Sequence, residues 1–325
     1  MDGVIMLTWF AHRRTSGISD QLRLPLFVLD TRRTGLLRII ELGVRTTRLL
    51  LQERPRIVLM QNPSLTGTLL VIILQLLFRF KVVVDAHNEA VQPFVNRSRI
   101  IRVISNWILR RADVTIVTNE GLAEFVSAAG GTPFVLPDPI PEPQQALSES
   151  QGVKSRCPSV LVIATGAPDE PIKDIATVAR MLSDVRFRVT GKSMPIRNAL
   201  GTDLPENVEL TGFVDEATYW SLLRDGDLIL DLTKMEDCLV CGAYEAIAVG
   251  TPMVLTDNRA SRELFGQVAC LVRNEGASIA RGISQSLEQL SSLRARIPEY
   301  RAKYVQEWHV RGEDLKERLT RLKDC

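Results

Sequence analysis

The feature that most constrains the fold of this chain is a regular alternation of short apolar runs with longer stretches of helical periodicity. Such alternation is typical of βαβ units, in which crossover helices join parallel strands. In the first half, the predicted strands are residues 4–8, 56–61, 81–85, 113–118 and 133–136. The predicted helices of this half lie near 35–53, 64–79, 97–111 and 120–129.

A segment without apolar periodicity interrupts this alternation. Residues 141–157 (PEPQQALSESQGVKSRC) are rich in Pro, Gln and Ser, which indicates a linker between domains. A second series follows, with predicted strands at 159–165, 186–190, 208–210, 228–231, 253–256 and 269–272. Its predicted helices lie near 171–183, 215–224, 241–249, 259–265 and 276–291.

The two series predict two α/β domains, each a Rossmann-like doubly wound sheet, facing each other across a cleft. We expect an N-terminal domain over residues 1–140, a linker over 141–157 and a C-terminal domain over 158–298. The charged stretch 299–325 is predicted to be a helix that packs back on the N-terminal domain. Ligands of doubly wound sheets bind outside the carboxyl ends of the strands, so the site is expected in those loops.

Charge and cysteine usage limit the possible partners and compartment. Residues 1–145 hold 17 Lys and Arg against 12 Asp and Glu, whereas the remainder is slightly acidic. This basic excess is too small and too poor in aromatic residues to indicate nucleic-acid binding.

Five cysteines make no disulfide framework in a chain of 325 residues, and the first residues are predicted to form a strand, so we expect a cytoplasmic protein. The apolar run 69–78 (LLVIILQLLF) is about half the length of a membrane span and is expected to be a buried helix.

The most informative stretch is 207–265, where a predicted strand, 228–231, leads through a loop into a helix that starts near residues 240–242. A helix N-terminus offers unpaired N–H groups and a partial positive charge, which suits an anion. Asp237 precedes this helix and Glu245 lies one to two turns inside it. Carboxylates bind the vicinal hydroxyls of a ribose or a sugar. The alternative is that Asp237 only caps the helix and Glu245 is a surface charge.

This stretch resembles the donor-binding half of glycosyltransferase family 4, a retaining family of the GT-B fold. The pattern of the family has two acidic residues separated by seven positions, then Ala and a Gly-[Thr/Lys]-Pro turn. Asp237, Glu245, Ala246 and the sequence 250–252 (Gly-Thr-Pro) match it. Gly212-Phe213-Val214, near the start of the stretch, and Asp257, Ala260 and Glu263, after the turn, match it as well.

The resemblance implies a role for each of these residues. Glu245 would bind the ribose of a nucleotide-diphosphate sugar, and Asp237, assisted by Glu236, would hold hydroxyls of the donor sugar. Backbone amides between Cys238 and Gly242, including that of Leu239, would contact the sugar or a phosphate. In the N-terminal half, His87 follows a predicted strand, at the place where the family often has a histidine facing the donor sugar.

The chain departs from the family pattern at three places. The first acidic position is Asp instead of Glu. The Gly-rich loop after the first strand is replaced by 9–14 (WFAHRR), in which His12, Arg13 and Arg14 are candidates for the acceptor side. Residues 165–171 (TGAPDEP) stand where the family has a Gly-Arg…Lys pattern that binds the diphosphate. Lys173 and Lys192 are the candidates to supply that positive charge.

The predicted reaction needs no metal or other cofactor. Cys238 and Cys241 have no second Cys/His pair at a spacing that would complete a zinc site.

The predicted helix 35–53 carries a basic face, with Arg38, Arg45 and Arg48, beside apolar residues. Such a helix can lie on an anionic membrane, and we therefore hypothesise membrane contact and a lipid-linked saccharide acceptor. The alternatives are a solvated outer helix face, a nucleotide-sugar epimerase of the same fold, and an inactive sugar-nucleotide-binding or scaffold protein.

Overall fold

The computed structural model describes residues 2–62, 64–86, 88–91, 99–143, 157–201 and 203–324. Most of the predicted linker therefore lies outside the described residues. The chain divides into two compact units, the first formed by Met1–Pro139 with Gln306–Cys325 and the second by Ile140–Val305. The C-terminal segment thus belongs to the same unit as the N-terminal residues.

The first unit is a six-stranded parallel sheet with helices between its strands. Its strand order is β2-β1-β3-β4-β5-β6. The strands are β1 Val4–Thr8, β2 Leu26–Val28, β3 Ile57–Asn62, β4 Lys81–Ala86, β5 Val114–Val117 and β6 Pro133–Val135. The helices are α1 Arg13–Leu22, α2 Gly35–Glu53, α3 Leu65–Phe78, α4 Asn88–Val91, α5 Arg99–Arg111 and α6 Glu120–Ala128.

The second unit repeats this architecture with the order β12-β11-β10-β7-β8-β9. Its strands are β7 Ser159–Ile163, β8 Arg186–Thr190, β9 Val208–Gly212, β10 Leu228–Asp231, β11 Met253–Thr256 and β12 Ala269–Val272. Its helices are α7 Lys173–Met181, α8 Ser193–Leu200, α9 Glu216–Asp225, α10 Cys241–Val249, α11 Arg259–Phe265 and α12 Gly276–Glu288. The last helix, α13, covers Leu290–Asp324.

The central strands are mostly apolar because helices cover both faces of each sheet. All residues of β3 and of β10 are buried. Each unit has its own core, built around Val58, Val82 and Ile72 in the first and around Val160, Leu230 and Ile283 in the second. The prediction of two Rossmann-like α/β domains is confirmed.

The structure differs from the local expectations in four respects: unpredicted helices, an unpredicted strand, the start of the last helix and the exposure of α3. Helices α1, α4 and α8 and the short strand β2 were not predicted, since their sequences are short or polar. The last helix begins at Leu290, about nine residues before the predicted start, and contains Pro298.

The fourth difference concerns α3, which was expected to be buried. Its inner face, with Val71 and Ile72, is buried, but Leu76 and Leu77 are 61% and 68% exposed. Among the described residues, no helix combines the length and the apolar character that a membrane span requires.

Candidate active site

The strand order of the second sheet reverses between β7 and β10. Strands β8 and β9 extend the sheet on one side of β7, and β10, β11 and β12 extend it on the other. At such a reversal, the loops that leave the carboxyl ends of neighbouring strands diverge and leave room for a ligand. The loops after β7 and β10 are therefore the candidate site in this unit.

These two loops are tied to each other by hydrogen bonds. The Thr233 hydroxyl donates to Asp169 Oδ2 (2.9 Å), and the Lys234 backbone N–H donates to the carbonyl oxygen of Asp169 (2.7 Å). Lys234 Nζ donates to the carbonyl oxygens of Pro168 and Glu170, both at 3.1 Å. No local pattern in the sequence pointed to Lys234, because its partners lie more than sixty residues away.

Helix α10 starts directly against the end of β10. Its N-cap is Val240, whose side chain makes no capping hydrogen bond. The backbone N–H of Gly242 donates instead to Asp231 Oδ2, the last residue of β10 (2.9 Å). A Cβ atom on Gly242 would collide with this carboxylate and with Ile163. Position 242 therefore requires glycine for close packing of the helix on the sheet.

Glu245 lies in α10 and is 8% exposed, which excludes its reading as a surface charge. The Tyr219 hydroxyl, from α9, donates a hydrogen bond to Glu245 Oε2 (2.6 Å). Burial raises the pKa of Tyr219, and the charge of Glu245 and this hydrogen bond raise it further, so the phenol stays protonated. Glu245 is thus a buried acid that Tyr219 holds in one orientation.

Asp231 is a second buried acid beside Glu245. Burial raises the pKa of Asp231 well above the ordinary range. The carboxylates of Glu245, Glu170 and Asp169 raise it further, against the hydrogen bond from Gly242, which lowers it. The site therefore concentrates acidic groups at the carboxyl ends of β7 and β10. Sequence reasoning did not single out Asp231 or Tyr219.

The two predicted sugar-binding acids have different surroundings. Asp237 is 7% exposed and lies in the loop between β10 and α10; it is not the N-cap of α10. Glu236 is exposed, and its Oε1 accepts hydrogen bonds from the backbone N–H of Arg259 (2.8 Å) and from the guanidinium of Arg262 (3.3 Å). Glu236 therefore joins this loop to the start of α11.

The rest of the loop is held by Asn258. Its side-chain amide donates to the carbonyl oxygens of Met235 (2.8 Å) and Cys238 (3.1 Å). Leu239 is buried, whereas Cys241 is exposed at the first position of α10.

The two lysines predicted to contact the diphosphate lie at helix starts. Lys173 is the first residue of α7 and Lys192 is the N-cap of α8, and both side chains are exposed. In the loop after β7, the backbone amides of residues 165–167 all donate to the carboxylate of Glu170. These amides are therefore occupied by the Glu170 side chain.

In the first unit, the predicted acceptor-side residues lie at the start of α1. His12 is the N-cap, and its Nδ1 accepts from the backbone N–H of Arg14 (3.3 Å); Arg13 is exposed. Arg14 is only 2% exposed and forms ion pairs with Asp85, at the end of β4, and with Asp138. Arg14 is therefore engaged in the interior of the unit.

Burial alone lowers the pKa of the Arg14 guanidinium, but Asp85 and Asp138 outweigh this effect and raise it, so the guanidinium stays charged. His87, the predicted histidine facing the donor, lies outside the described residues. Its role stays a prediction.

Comparison with protein families matched both halves of the chain. The family model described as a glycosyl transferase 4-like domain matches residues 4–141. The model for glycosyl transferases group 1 matches residues 165–289. A comparison with curated proteins gave no significant match.

Solved structures with the same fold cover nearly the whole chain. Sucrose-phosphate synthase from Thermosynechococcus elongatus is 13% identical, with a TM-score of 0.79 and coverage of 98% of each chain. The Anabaena protein HepE in complex with UDP-glucose is 16% identical, with a TM-score of 0.72, and covers 97% of this chain and 91% of its own. A putative UDP-N-acetylglucosamine 2-epimerase from Listeria monocytogenes is 13% identical, with a TM-score of 0.57 and coverage of 91% and 90%. At these identities the likeness establishes the fold.

Proposed function

Because the chain belongs to the glycosyltransferases, with the 4-like domain in its first half and the group 1 domain in its second, we propose that a nucleoside diphosphate sugar is its donor. Glu245 carries this proposal. It is a buried acid in the first turns of α10, beside the reversal of strand order, and Tyr219 orients it. A carboxylate held in this way suits the paired hydroxyls of a ribose.

We assign Asp237 to the hydroxyls of the donor sugar and UDP to the nucleotide. Asp237 is buried in the loop that leads into the helix of Glu245, and this supports a contact with the same ligand. The structure of HepE, which has the same fold, contains UDP-glucose, and this supports uridine as the base. The sugar itself is left open by these residues.

Calorimetric titration with UDP, GDP, ADP and dTDP tests the donor. We expect UDP to bind most tightly. Glu245→Gln should weaken UDP binding by about 1–3 kcal/mol, because a hydrogen bond to a charged group is lost. Glu209→Gln is the control, since Glu209 is an exposed acid of the same unit, paired with Arg188 and outside the family pattern. Equal affinity of the wild type and Glu245→Gln would refute the ribose role.

For the chemistry, we propose transfer with retention of the anomeric configuration and without a separate base. Positive charge near the leaving diphosphate would stabilise the charge that develops on it. An oxygen of this phosphate would take the proton of the acceptor hydroxyl. The anomeric configuration of the product, read by NMR, tests the proposal, and inversion would contradict it.

An epimerase is the second candidate function, favoured by the shared fold of the putative UDP-N-acetylglucosamine 2-epimerase. An epimerase converts the donor without any acceptor. Incubation with the nucleotide sugar alone, followed by chromatography of the sugar, separates the two functions. A new sugar isomer would support the epimerase; release of nucleotide only when a saccharide is added would support the transferase.

We further propose that the acceptor is a lipid-linked saccharide at the cytoplasmic face of a membrane, as in polysaccharide biosynthesis. Helices α2 and α3 pack beside each other and both expose apolar stripes. The exposed apolar residues are Leu37, Ile40, Val44 and Leu51 on α2 and Ile73, Leu76 and Leu77 on α3. Arg48 is exposed on α2, and the exposed residues Arg54 and Arg79 end the two helices. Apolar and basic groups together suit an anionic lipid surface.

Flotation with lipid vesicles tests this surface. We expect the chain to float with vesicles of phosphatidylcholine and phosphatidylglycerol and to stay at the bottom with phosphatidylcholine alone. The double variant Leu76→Ser, Leu77→Ser should lose flotation. Phe213→Ser is the control, because Phe213 is an exposed apolar residue of the other unit (87%). Equal flotation with and without anionic lipid, and equal flotation of the wild type and the double variant, would contradict the proposal.

A further inference from the structure

The loop that follows β7 folds around one carboxylate of the chain. Glu170 accepts hydrogen bonds from the backbone N–H groups of Thr165 (2.9 and 3.0 Å), Gly166 (2.8 Å) and Ala167 (3.2 Å). The Thr165 hydroxyl donates a further bond to Oε1 (2.7 Å). Three consecutive amides and one hydroxyl thus converge on a single anionic group.

Consecutive amides that point to one place form an anion-binding concavity. Gly166 makes this geometry possible, because its φ of +86° is a conformation that other residues rarely adopt. The concavity lies after β7, the strand at which the sheet order reverses. That is the position where doubly wound sheets bind their ligands. Its place in the fold is therefore that of a ligand site, although the chain fills it with its own side chain.

A cation lies at the same loop. Lys234 is exposed, and its Nζ is held by the carbonyl oxygens of Pro168 and Glu170. Within the part of the chain that the structure describes, Lys234 forms no ion pair. Its charge is therefore available to a second anion that reaches the loop.

Any phosphate that approaches these amides meets negative charge. Glu170 occupies the amides, and Asp169 and Glu245 lie close enough to the buried Asp231 to act on it electrostatically. A diphosphate and the Glu170 carboxylate cannot bind the same N–H groups at once. Binding of one therefore requires departure of the other.

We propose that Glu170 is an internal competitor for the phosphates of the donor, and that the donor binds when its diphosphate displaces this carboxylate from the amides of residues 165–167 and pairs with Lys234. The proposal rests on the proposed donor. Under this proposal, the affinity for the donor depends on how strongly the amides of residues 165–167 bind the Glu170 carboxylate. The apparent affinity equals the affinity of the open loop multiplied by the fraction of molecules in which the amides are open.

Inorganic pyrophosphate is the probe, because it carries the phosphates without the nucleoside. We expect Glu170→Ala to bind pyrophosphate about tenfold more tightly than the wild type in calorimetric titration, since tenfold corresponds to about 1.4 kcal/mol in favour of the closed loop. Glu170→Gln should show a smaller gain, because the amide keeps an acceptor but loses the charge. Asp174→Ala, which removes one charge from the first turn of α7, is the control and should change little.

The outcomes separate this inference from the proposed function. If neither Glu170 variant binds pyrophosphate more tightly than Asp174→Ala does, the competition is refuted, even if the loop of Glu170→Ala rearranges. Lys234→Ala introduced into Glu170→Ala should remove most of the gain, and an unchanged gain would refute the role of the lysine. Turnover of a nucleotide sugar by the wild type tests the donor independently of these measurements.

Discussion

At the scale of single residues, the site depends on two acids that differ in what they bind. Glu245 accepts from the Tyr219 hydroxyl, which remains protonated, so the carboxylate has a fixed direction. Asp231 accepts from the backbone of Gly242 and lies among other acids, so its protonated form is favoured. The carboxyl of Glu245 is thus oriented by a side chain, and that of Asp231 joins a strand to a helix.

The raised pKa of Asp231 predicts a pH dependence of stability. Between the ordinary pKa of an aspartate and the raised value, the folded chain holds a proton that the unfolded chain has lost, so stability falls as the pH rises through this window. Asp231→Asn keeps an oxygen for Gly242 and removes the titration. We expect the wild type to lose more stability than this variant as the pH rises above the ordinary pKa of an aspartate, about 3.9, by up to about 1.4 kcal/mol per pH unit within the window.

Urea unfolding at several pH values measures this difference. Asp203→Asn is the matched control, because it removes an exposed carboxylate that pairs with Arg180. Parallel pH profiles of the wild type and Asp231→Asn would show that Asp231 does not titrate in this range.

The sequence predicted the acids of the motif but not their partners. Asp237 and Glu245 are recognisable because the motif places them at a fixed spacing in one short segment. Tyr219 lies 26 residues from Glu245, and Glu170 meets amides in a loop that matches no pattern. Hydrogen bonds between distant segments depend on the completed sheet, and for this reason local patterns do not reveal them.

At the scale of elements, the contact between α10 and β10 fixes the position of the site. The Gly242 N–H reaches Asp231 only because no side chain separates the helix from the sheet. Gly250 ends the same helix in a left-handed conformation (φ +77°), as the Gly-Thr-Pro turn indicates. Gly242 thus allows the start of α10 to pack on the sheet, and Gly250 ends the helix.

Gly242→Ala should therefore destabilise the second unit. Its Cβ would press on Asp231 and Ile163, and overpacking of this kind costs about 1–3 kcal/mol. Gly276→Ala is the control, since a Cβ there would meet Thr177 at an ordinary contact distance (3.7 Å). Urea unfolding measures both variants. Equal stability of Gly242→Ala and the control would mean that α10 can move away from the sheet at little cost.

Elements with strong periodicity were predicted with accurate bounds, and weak ones were missed. The helix 35–53 and the strand 228–231 have the predicted limits. Helix α1 has a polar sequence, and only its packed face, with Ile18 and Leu22, is apolar. Pro298 lies inside α13, next to the buried Ile297, although a proline removes a hydrogen bond from a helix. Tertiary packing outweighs local preference at such places.

At the scale of the whole molecule, the last helix completes the first unit. Residues from Gln306 onward belong to this unit, and they bury Leu315 and Leu319 in it. The indole N–H of Trp308 donates to the carbonyl oxygen of Pro137 (2.9 Å), at the end of the segment that leaves the first sheet. The final turns of the chain are therefore part of the core of this unit.

Leu315→Ala should destabilise the first unit by about 2–5 kcal/mol, because it opens a cavity at a fully buried position. Val310→Ala, on the same helix, should change stability by less than about 0.5 kcal/mol, since Val310 is 57% exposed. Thermal and urea unfolding distinguish the two variants. A small effect of Leu315→Ala would mean that the end of the helix contributes little to this core.

The return of the last helix also affects how the protein is made. The second unit is continuous in sequence, whereas the first consists of two segments separated by all of it. The ribosome therefore synthesises every residue of the second unit before it synthesises the last helix of the first unit. The unit whose synthesis starts first is therefore completed last. Until Leu315 has been synthesised, the incomplete core of this unit exposes apolar surface that a chaperone can bind.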